Sequence, residues 1–375
     1  MRPLSICIFF RHNKKKLISN VIIIVVAICF VYIMECFVAS IVQSIYPLDA
    51  NRFEYASVII STEAVPEISQ EMIDSTLSSE NIERTMPISI QKINFSVPGS
   101  STHPAVLGID YSDLSYLSTK YKIELYDGRM PEEGTKEIAV DWNAALNNNL
   151  QIGSQVGSDI DKTQPLNGTY TVVGILKSDS HISIVGAPGP NDSTLANDEK
   201  GYFIFPNEGC FEAVEDEVTA FTRQGLYVWT LTLYNKAFAK NSQTFKILDT
   251  MVILVIVVMV ICLVCSKYAQ YFSRKSEIGV LNALGYTRRE ITARIFREEI
   301  ITNLIGFIVG LTLAILLCKI ILAAYFDSIG GTGVYLYGKA AAMSLPAPLL
   351  TTIFTLIPLY RLIGRFDAIS IVEDN

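Results

Sequence analysis

Charge is scarce in this chain: only 18% of its 375 residues are Asp, Glu, Lys or Arg, against about 25% in a typical soluble domain. That shortage excludes an ordinary water-exposed enzyme. A basic excess is also missing. The formal net charge is −7, which argues against a nucleic-acid partner, whose binding domain would usually be basic. Histidine is limited to His12, His103 and His181, far apart in sequence. A histidine metal site needs two or three to converge, so surface histidines and no bound metal are the expectation. Of the cysteines Cys7, Cys29, Cys36, Cys210, Cys262, Cys265 and Cys318, only Cys210 lies in the polar block 46–246. An internal disulfide is therefore excluded there. Cys262-x-x-Cys265 has metal or redox spacing but lies in an apolar run without a partner pair, so packing is its expected role.

Catalytic motifs are missing as well. There is no HExxH and no GxSxG. Gly333–Lys339 matches GxxxxGK, but Ala340 stands where a Ser or Thr would hold Mg²⁺. Tyr335, Leu336 and Tyr337 are too bulky for a phosphate cradle. The sequence thus predicts no catalytic residue, no cofactor and no ATP hydrolysis by this chain.

What the chain has in quantity is apolar sequence, 50% of the residues, gathered into four runs near the roughly 20 residues a membrane helix needs. The expected organisation is a basic N-terminus (1–16), a first transmembrane helix and stalk (17–45), and a large mixed α+β extracytoplasmic domain (46–246). A second span (247–266), an elbow (267–299), a third span (300–322), an outer loop (323–339), a fourth span (340–361) and a terminal segment (362–375) follow. The fold class is therefore a membrane protein of four transmembrane α-helices, with the α+β domain inserted between helices one and two. The first run is too long for the apolar core of a cleavable signal and reads as an anchor.

Charge sets the expected orientation. Arg2, Arg11, Lys14, Lys15 and Lys16 precede the first run without an acid, and 267–299 is also rich in Lys and Arg. The block 46–246 carries 27 acidic against 14 basic residues, a net of −13. The positive-inside rule puts both termini and the elbow in the cytoplasm. At 1.5 Å per residue, Glu35 lies about 28 Å beyond Lys16, which predicts a place at the outer water boundary. The first helix is expected to stop before Pro47.

Within 46–246, alternation and helical spacing predict strands at Tyr55–Ser61, Met86–Phe95, Glu137–Val140, Tyr170–Leu176 and Tyr202–Phe205. They predict helices at Pro66–Ser79 and Glu208–Thr222, and a mobile loop at Ser178–Lys200. Ala237–Leu248 reads as a helical stalk. In the elbow, Ile278, Leu281 and Leu284 share a helix face and Gly285 suits a left-handed C-terminal cap. Thr287-Arg288-Arg289-Glu290 is a capping box, with Tyr286 and Ile291 placed for a hydrophobic staple. Thr302, Gly306, Gly310 and Ala314 recur every four residues as a small-residue helix-packing face. It serves either packing within the chain or a dimer seam. Pro346, Pro348 and Pro358 are expected to kink or delimit the fourth span.

Glu277-Ile278-Gly279-Val280-Leu281-Asn282-Ala283-Leu284-Gly285-Tyr286-Thr287-Arg288-Arg289 resembles the signature of FtsX-like permeases. The terminal Pro358-x-x-Arg361…Arg365-Phe366-Asp367-Ala368-Ile369 is similar to that family's end, with Ala368 in place of its usual Pro. Gly128-Arg129-Met130-Pro131, Glu137–Val140, Leu150–Gly153 and Thr171–Ile175 resemble the outer domain of the MacB and LolE type of ABC transporter permease. The resemblance implies a permease subunit without a fused ATPase, in a bacterial cytoplasmic membrane. A separate ABC ATPase would bind ATP, and a second permease subunit, identical or not, would complete the assembly. The exported or extracted substrate would be amphipathic: a peptide, lipopeptide, lipoprotein or drug. The ATPase-coupling elbow would comprise Arg274, Glu277, Ile278, Gly279, Leu281, Leu284, Gly285, Thr287, Arg288, Arg289 and Glu290. The arginines at 288 and 289 are either docking charges or simple positive-inside charge. The alternatives are an FtsX-like scaffold that regulates cell-wall hydrolases and a membrane sensor that partners a histidine kinase.

Overall fold

The computed structural model describes residues 14–78, 80–186, 199–241 and 243–365. Cys7 and His12, most of the loop predicted at Ser178–Lys200, and the terminal stretch from Phe366 onward lie outside the described residues. In chain order, α1 (Lys14–Ala50) leads into β1 (Ser57–Ile60), α2 (Gln70–Thr76) and β2 (Ile82–Lys92). Then come β3 (Phe95–Val97), β4 (Ser100–Thr102), β5 (Ala105–Ile109), α3 (Tyr111–Lys120), β6 (Glu124–Gly128) and β7 (Glu137–Asp141). They are followed by α4 (Trp142–Asn147), β8 (Gln155–Val156), β9 (Tyr170–Lys177), β10 (Ser183–Val185) and β11 (Glu199–Pro206). α5 (Phe211–Thr219), β12 (Tyr227–Trp229) and α6 (Leu231–Asn241) complete the inserted domain. The chain ends with α7 (Gln243–Phe272), α8 (Lys275–Ala283), α9 (Arg288–Tyr325), α10 (Gly338–Ser344) and α11 (Pro346–Arg365).

These elements form two compact units. The membrane unit takes its helices from the regions before Ala39, Thr244–Leu322 and from Val334 onward. Four helical stretches are long and apolar enough to cross a bilayer: Ile18–Phe53, Lys246–Phe272, Arg288–Ile329 and Gly338–Arg361. Cys262 and Cys265 are exposed on α7. This corrects the packing role expected for them: most of that helix is uncovered by protein, and a spanning helix can leave apolar side chains to lipid.

The second unit comprises Ser40–Gln243 and Ala323–Gly333. Its ten-stranded sheet runs β12-β1-β11-β2-β5-β10-β7-β9-β6, with β8 paired to β9. The β10–β5 and β7–β9 pairs are parallel and the others antiparallel. The inner strands β1, β5, β7 and β10 are buried on both faces because they carry apolar residues at consecutive positions, whereas the edge strands β6 and β12 are largely exposed. Val58 and Ile60 enter one core with Leu117 of α3, while Ile59 enters another with Ile73 and Val214. The same alternation, dictated by the period of two, sends Ala139 to the first core and Ile138 and Val140 to a third with Ala144 of α4.

Two sequence expectations change, and the prolines of the fourth span act as expected in one place. α1 does not stop before Pro47 but continues through it to Ala50. A proline inside a helix costs about 3 kcal/mol. Burial of Leu48, just beyond it, and of Phe53 in the following turn offsets this at roughly 1.5–3 kcal/mol per side chain. The helix expected at Pro66–Ser79 is confined to α2, since Ser69 caps its start by accepting the Met72 amide at 3.2 Å. The fourth span breaks between α10 and α11, ahead of Pro346, whereas Pro358 lies inside α11.

The segment 323–333 adds a strap to the inserted domain. The Asn147 side chain donates through Nδ2 to the Ile329 carbonyl at 2.9 Å, and the Thr332 backbone amide donates to the Ser44 hydroxyl at 2.8 Å. Gly330 sits at φ +76°, where an added Cβ would lie 2.4 Å from the Asn143 carbonyl oxygen.

An exposed pair pins the start of β7. Arg129 donates to Glu137 at 2.8 Å, and the Glu132 amide donates to the same carboxylate at 3.0 Å. The Arg129 hydrogen bond, then the Glu132 amide, hold the Glu137 carboxyl below the usual carboxylate range. A lowered folded-state pKa gives stability that is present above the unfolded value and is lost as pH falls through the folded one. Glu137→Gln should therefore lower the melting temperature near pH 7, and its difference from the parent should vanish on acidification below about pH 4.

Candidate functional site: the elbow between the second and third spans

α8 ends in a complete Schellman motif. The Tyr286 amide donates to the Leu281 carbonyl at 3.2 Å and the Gly285 amide to Asn282 at 3.0 Å. Gly285 adopts φ +91° with open space around it. Only glycine reaches that conformation without steric cost. The next helix begins at once. The Thr287 amide donates to Glu290 Oε2 at 2.9 Å and the Glu290 amide to Thr287 Oγ1 at 3.3 Å. These reciprocal bonds satisfy donors that a helix start would otherwise leave open.

One face of the elbow is fastened. Ile278 and Leu281 of α8 pack with Ile291 and Ile295 of α9, Leu359 and Ile363 of α11, and Tyr286 at the turn. Gly279 is also buried. The opposite face is bare: Val280 is 60% and Leu284 67% exposed. Arg288 and Arg289 follow them, also exposed.

A chain of ion pairs locks the elbow to the ends of its neighbours. Arg274 holds Glu277 at 2.9 and 3.0 Å and reaches Glu298 at 3.1 Å. Arg294 pairs with Glu298 at 3.2 Å and lies 3.7 Å from Glu277. Burial opposes the charge of Arg274, but the two carboxylates outweigh it and raise its pKa above the ordinary guanidinium value. A turn deeper, Lys267 is 2% exposed, with Nζ 3.2 and 3.1 Å from the oxygens of Glu299, which also accepts from the Tyr271 hydroxyl. The coupling residues named from sequence thus divide. Arg274, Glu277, Ile278, Gly279 and Leu281 lie on the fastened side, and Gly285, Thr287 and Glu290 form the turn. Leu284, Arg288 and Arg289 face outward. Lys267, Tyr271, Arg294, Glu298 and Glu299 were missed; the available signal was a lysine and a glutamate pair at the ends of otherwise apolar helices.

The small-residue face lies against α1. A Cβ on Gly306 would come 2.9 Å from Ile24 Cγ2, and one on Gly310 would come 3.1 Å from Ile28 Cβ. Thr302 and Ala314 are buried on the same face. Of the two uses left open by the sequence, packing within the chain occupies this stripe. Gly310→Leu should overpack the α1–α9 contact by about 1–3 kcal/mol. Unfolding in detergent should show the loss, and Ile28→Ala should restore part of it.

Glu35 corrects its own expectation. It is 1% exposed rather than at the water boundary, and its carboxylate lies 3.2 Å from Lys339, which also holds Asp249 at 2.9 Å. Lys339 is the lysine of the GxxxxGK lookalike, so its charge is engaged within the membrane unit. The Tyr32 hydroxyl staples the same segment, donating to the Tyr335 carbonyl at 3.1 Å and accepting from the Tyr337 amide at 3.2 Å.

Residues 250–365, which contain the elbow, match the family described as FtsX-like permease C-terminal. This segment is similar to the C-terminal domain of FtsX-like permeases. The matched segment holds α8, most of α7 and all of α9 to α11. The chain is also similar to the periplasmic region of MacB from Actinobacillus actinomycetemcomitans, at 11% identity and a TM-score of 0.29 over 50% of this chain and 94% of that one. It is similar to the extracellular domain of the noncanonic ABC-type transporter YknZ from Gram-positive bacteria, at 12% identity and a TM-score of 0.28 over 47% and 99%. A domain of a putative permease protein from Porphyromonas gingivalis matches at 9% identity and a TM-score of 0.25 over 46% and 85%. None of the curated proteins matches this chain.

Proposed function

We propose that this chain is the permease subunit of an ABC transporter, and that a separate ATPase subunit hydrolyses ATP and drives it through the elbow. The carrying observation is the two-sidedness of that elbow. One side is fixed by apolar packing and ion pairs. The other offers Val280, Leu284, Arg288 and Arg289 to a partner. A push on such a bracket moves the helices attached to it rather than deforming the turn. α9 starts at the capping box and runs 38 residues, about 57 Å at 1.5 Å per residue. Its last residues, from Ala323, are grouped with the inserted domain, as is the strap that follows. A continuous helix is therefore available to carry movement from elbow to inserted domain.

In this reading the elbow and both termini are cytoplasmic and the acidic inserted domain lies outside the cytoplasmic membrane of a bacterium. A second permease subunit pairs with the first, and the inserted domains extrude or extract an amphipathic substrate. The test is a photo-crosslinking amino acid at Leu284 in native cells, with Val309 as a control at an exposed position within the third span. Capture of an ABC ATPase at 284 and not at 309 supports the reading. Efficient crosslinking at 284 to other proteins, with no ATPase, contradicts it.

A further inference from the structure

The inserted domain contains a cavity of about 140 Å³ outside the elbow and the membrane unit. Its floor is apolar and includes Val58, Ile90 and Leu107 from three strands of the large sheet. Its wall includes Arg52, Lys92 and Trp229. An apolar cavity of about 150 Å³ is large enough to take up benzene, so this volume suits a ring or a chain of similar bulk. The cavity is reachable at Trp229, which is 37% exposed. Phe53 completes an aromatic wall, its ring stacked toward Trp229 with centroids 6.4 Å apart.

The charge on this wall has one sign. The Arg52 guanidinium lies 4.8 Å from the centroid of the Phe53 ring, which fixes its plane at low entropic cost. Among the described residues Arg52 makes no ion pair, whereas Lys92, which also lines the cavity, has an interaction of its own. An apolar floor beside the Arg52 guanidinium recognises a molecule with an apolar body and an anionic head. Arg52 is two residues beyond the end of α1, so the wall is built partly from the segment that joins the first span to the inserted domain.

We propose that this cavity binds an amphipathic anion: an apolar group of about six carbons, joined to a carboxylate or phosphate that meets Arg52. It deepens the reading of the inserted domain as the part that meets substrate and rests on that reading for the word substrate alone. Binding is measurable without transport or an ATPase.

The test uses the full chain in phosphatidylcholine nanodiscs. Trp142→Phe leaves Trp229 as the only tryptophan. Bromine quenches indole fluorescence on contact, so 6-bromohexanoate and 6-bromohexyl phosphate are titrated beside 6-bromohexanol and 6-bromohexylamine. The expected result is saturable quenching by the anions, with half-saturation at least about tenfold lower than for the alcohol or the amine, as one good charge contact gives. The tighter anion identifies the preferred headgroup. Arg52→Gln should abolish the preference, and this side chain is not core, so the fold should persist. Ala105→Phe, which fills the cavity lined by Ala105, should remove saturable quenching. Equal, unsaturable quenching by all four compounds overturns the proposal, as does anion preference that survives Arg52→Gln. Failure to capture an ATPase at Leu284 would leave either result standing, so the two readings fail separately.

Discussion

Lys267→Met should destabilise the membrane unit by about 3–5 kcal/mol, the usual cost of leaving one member of a buried pair alone. Lys267 and Glu299 are both buried, and the Tyr271 hydroxyl is the other donor to that carboxylate. Removing the ammonium leaves a carboxylate shielded from water with half its compensation. The apolar surface of methionine matches the lysine stem, so lost packing contributes little. Unfolding by SDS titration from mixed micelles should show the loss. The double variant Lys267→Met, Glu299→Leu should recover most of it, because two well-packed apolar residues can replace a buried pair at little cost. A single variant as stable as the parent would mean that the pair does not hold α7 to α9.

Gly285→Val should leave insertion and bulk stability nearly intact but uncouple ATP hydrolysis from transport. The native φ of +91° is strained for any residue with a Cβ, by about 1 kcal/mol or more. No neighbouring atom lies within 4 Å of the added Cβ, so the effect acts on the backbone rather than through a clash. The turn sets the angle between α8 and α9, and with it the direction in which a push on Leu284 is delivered. Transport should fall at least about tenfold, the population change that some 1.4 kcal/mol produces. Gly285→Asn should retain much of the activity, since asparagine tolerates the left-handed region. Activity in the valine variant equal to the parent would remove the case for the turn.

The sequence made the four apolar runs, the inserted α+β domain and the turn at Gly285–Glu290 legible, because each is written in neighbouring residues. A glycine cap and a capping box are decided within six residues. The ion pairs were not legible. Lys267 and Glu299 are 32 positions apart, and Glu35 and Lys339 lie on helices at opposite ends of the chain. Glu35 misled for a physical reason: its depth along a helix says how far it lies from the membrane surface, not which side chains surround it. The helix through Pro47 was missed for the same reason, since a local penalty was overruled by burial of Leu48 and Phe53. The outward set of Leu284, Arg288 and Arg289 could be named from sequence. Its separation from the fastened residues required the packing of Ile278 and Leu281 against α9 and α11.

The most direct test is a mild-detergent pull-down of the tagged chain from its native cells, with the co-purifying proteins identified by mass spectrometry. A small ABC ATPase should be recovered in near-equal amount. It should be lost when Arg288 and Arg289 are both changed to Glu, with the permease itself still extracted in full. No ATPase from the parent chain, even after crosslinking, would contradict the account and leave the elbow as a structural bracket without a motor.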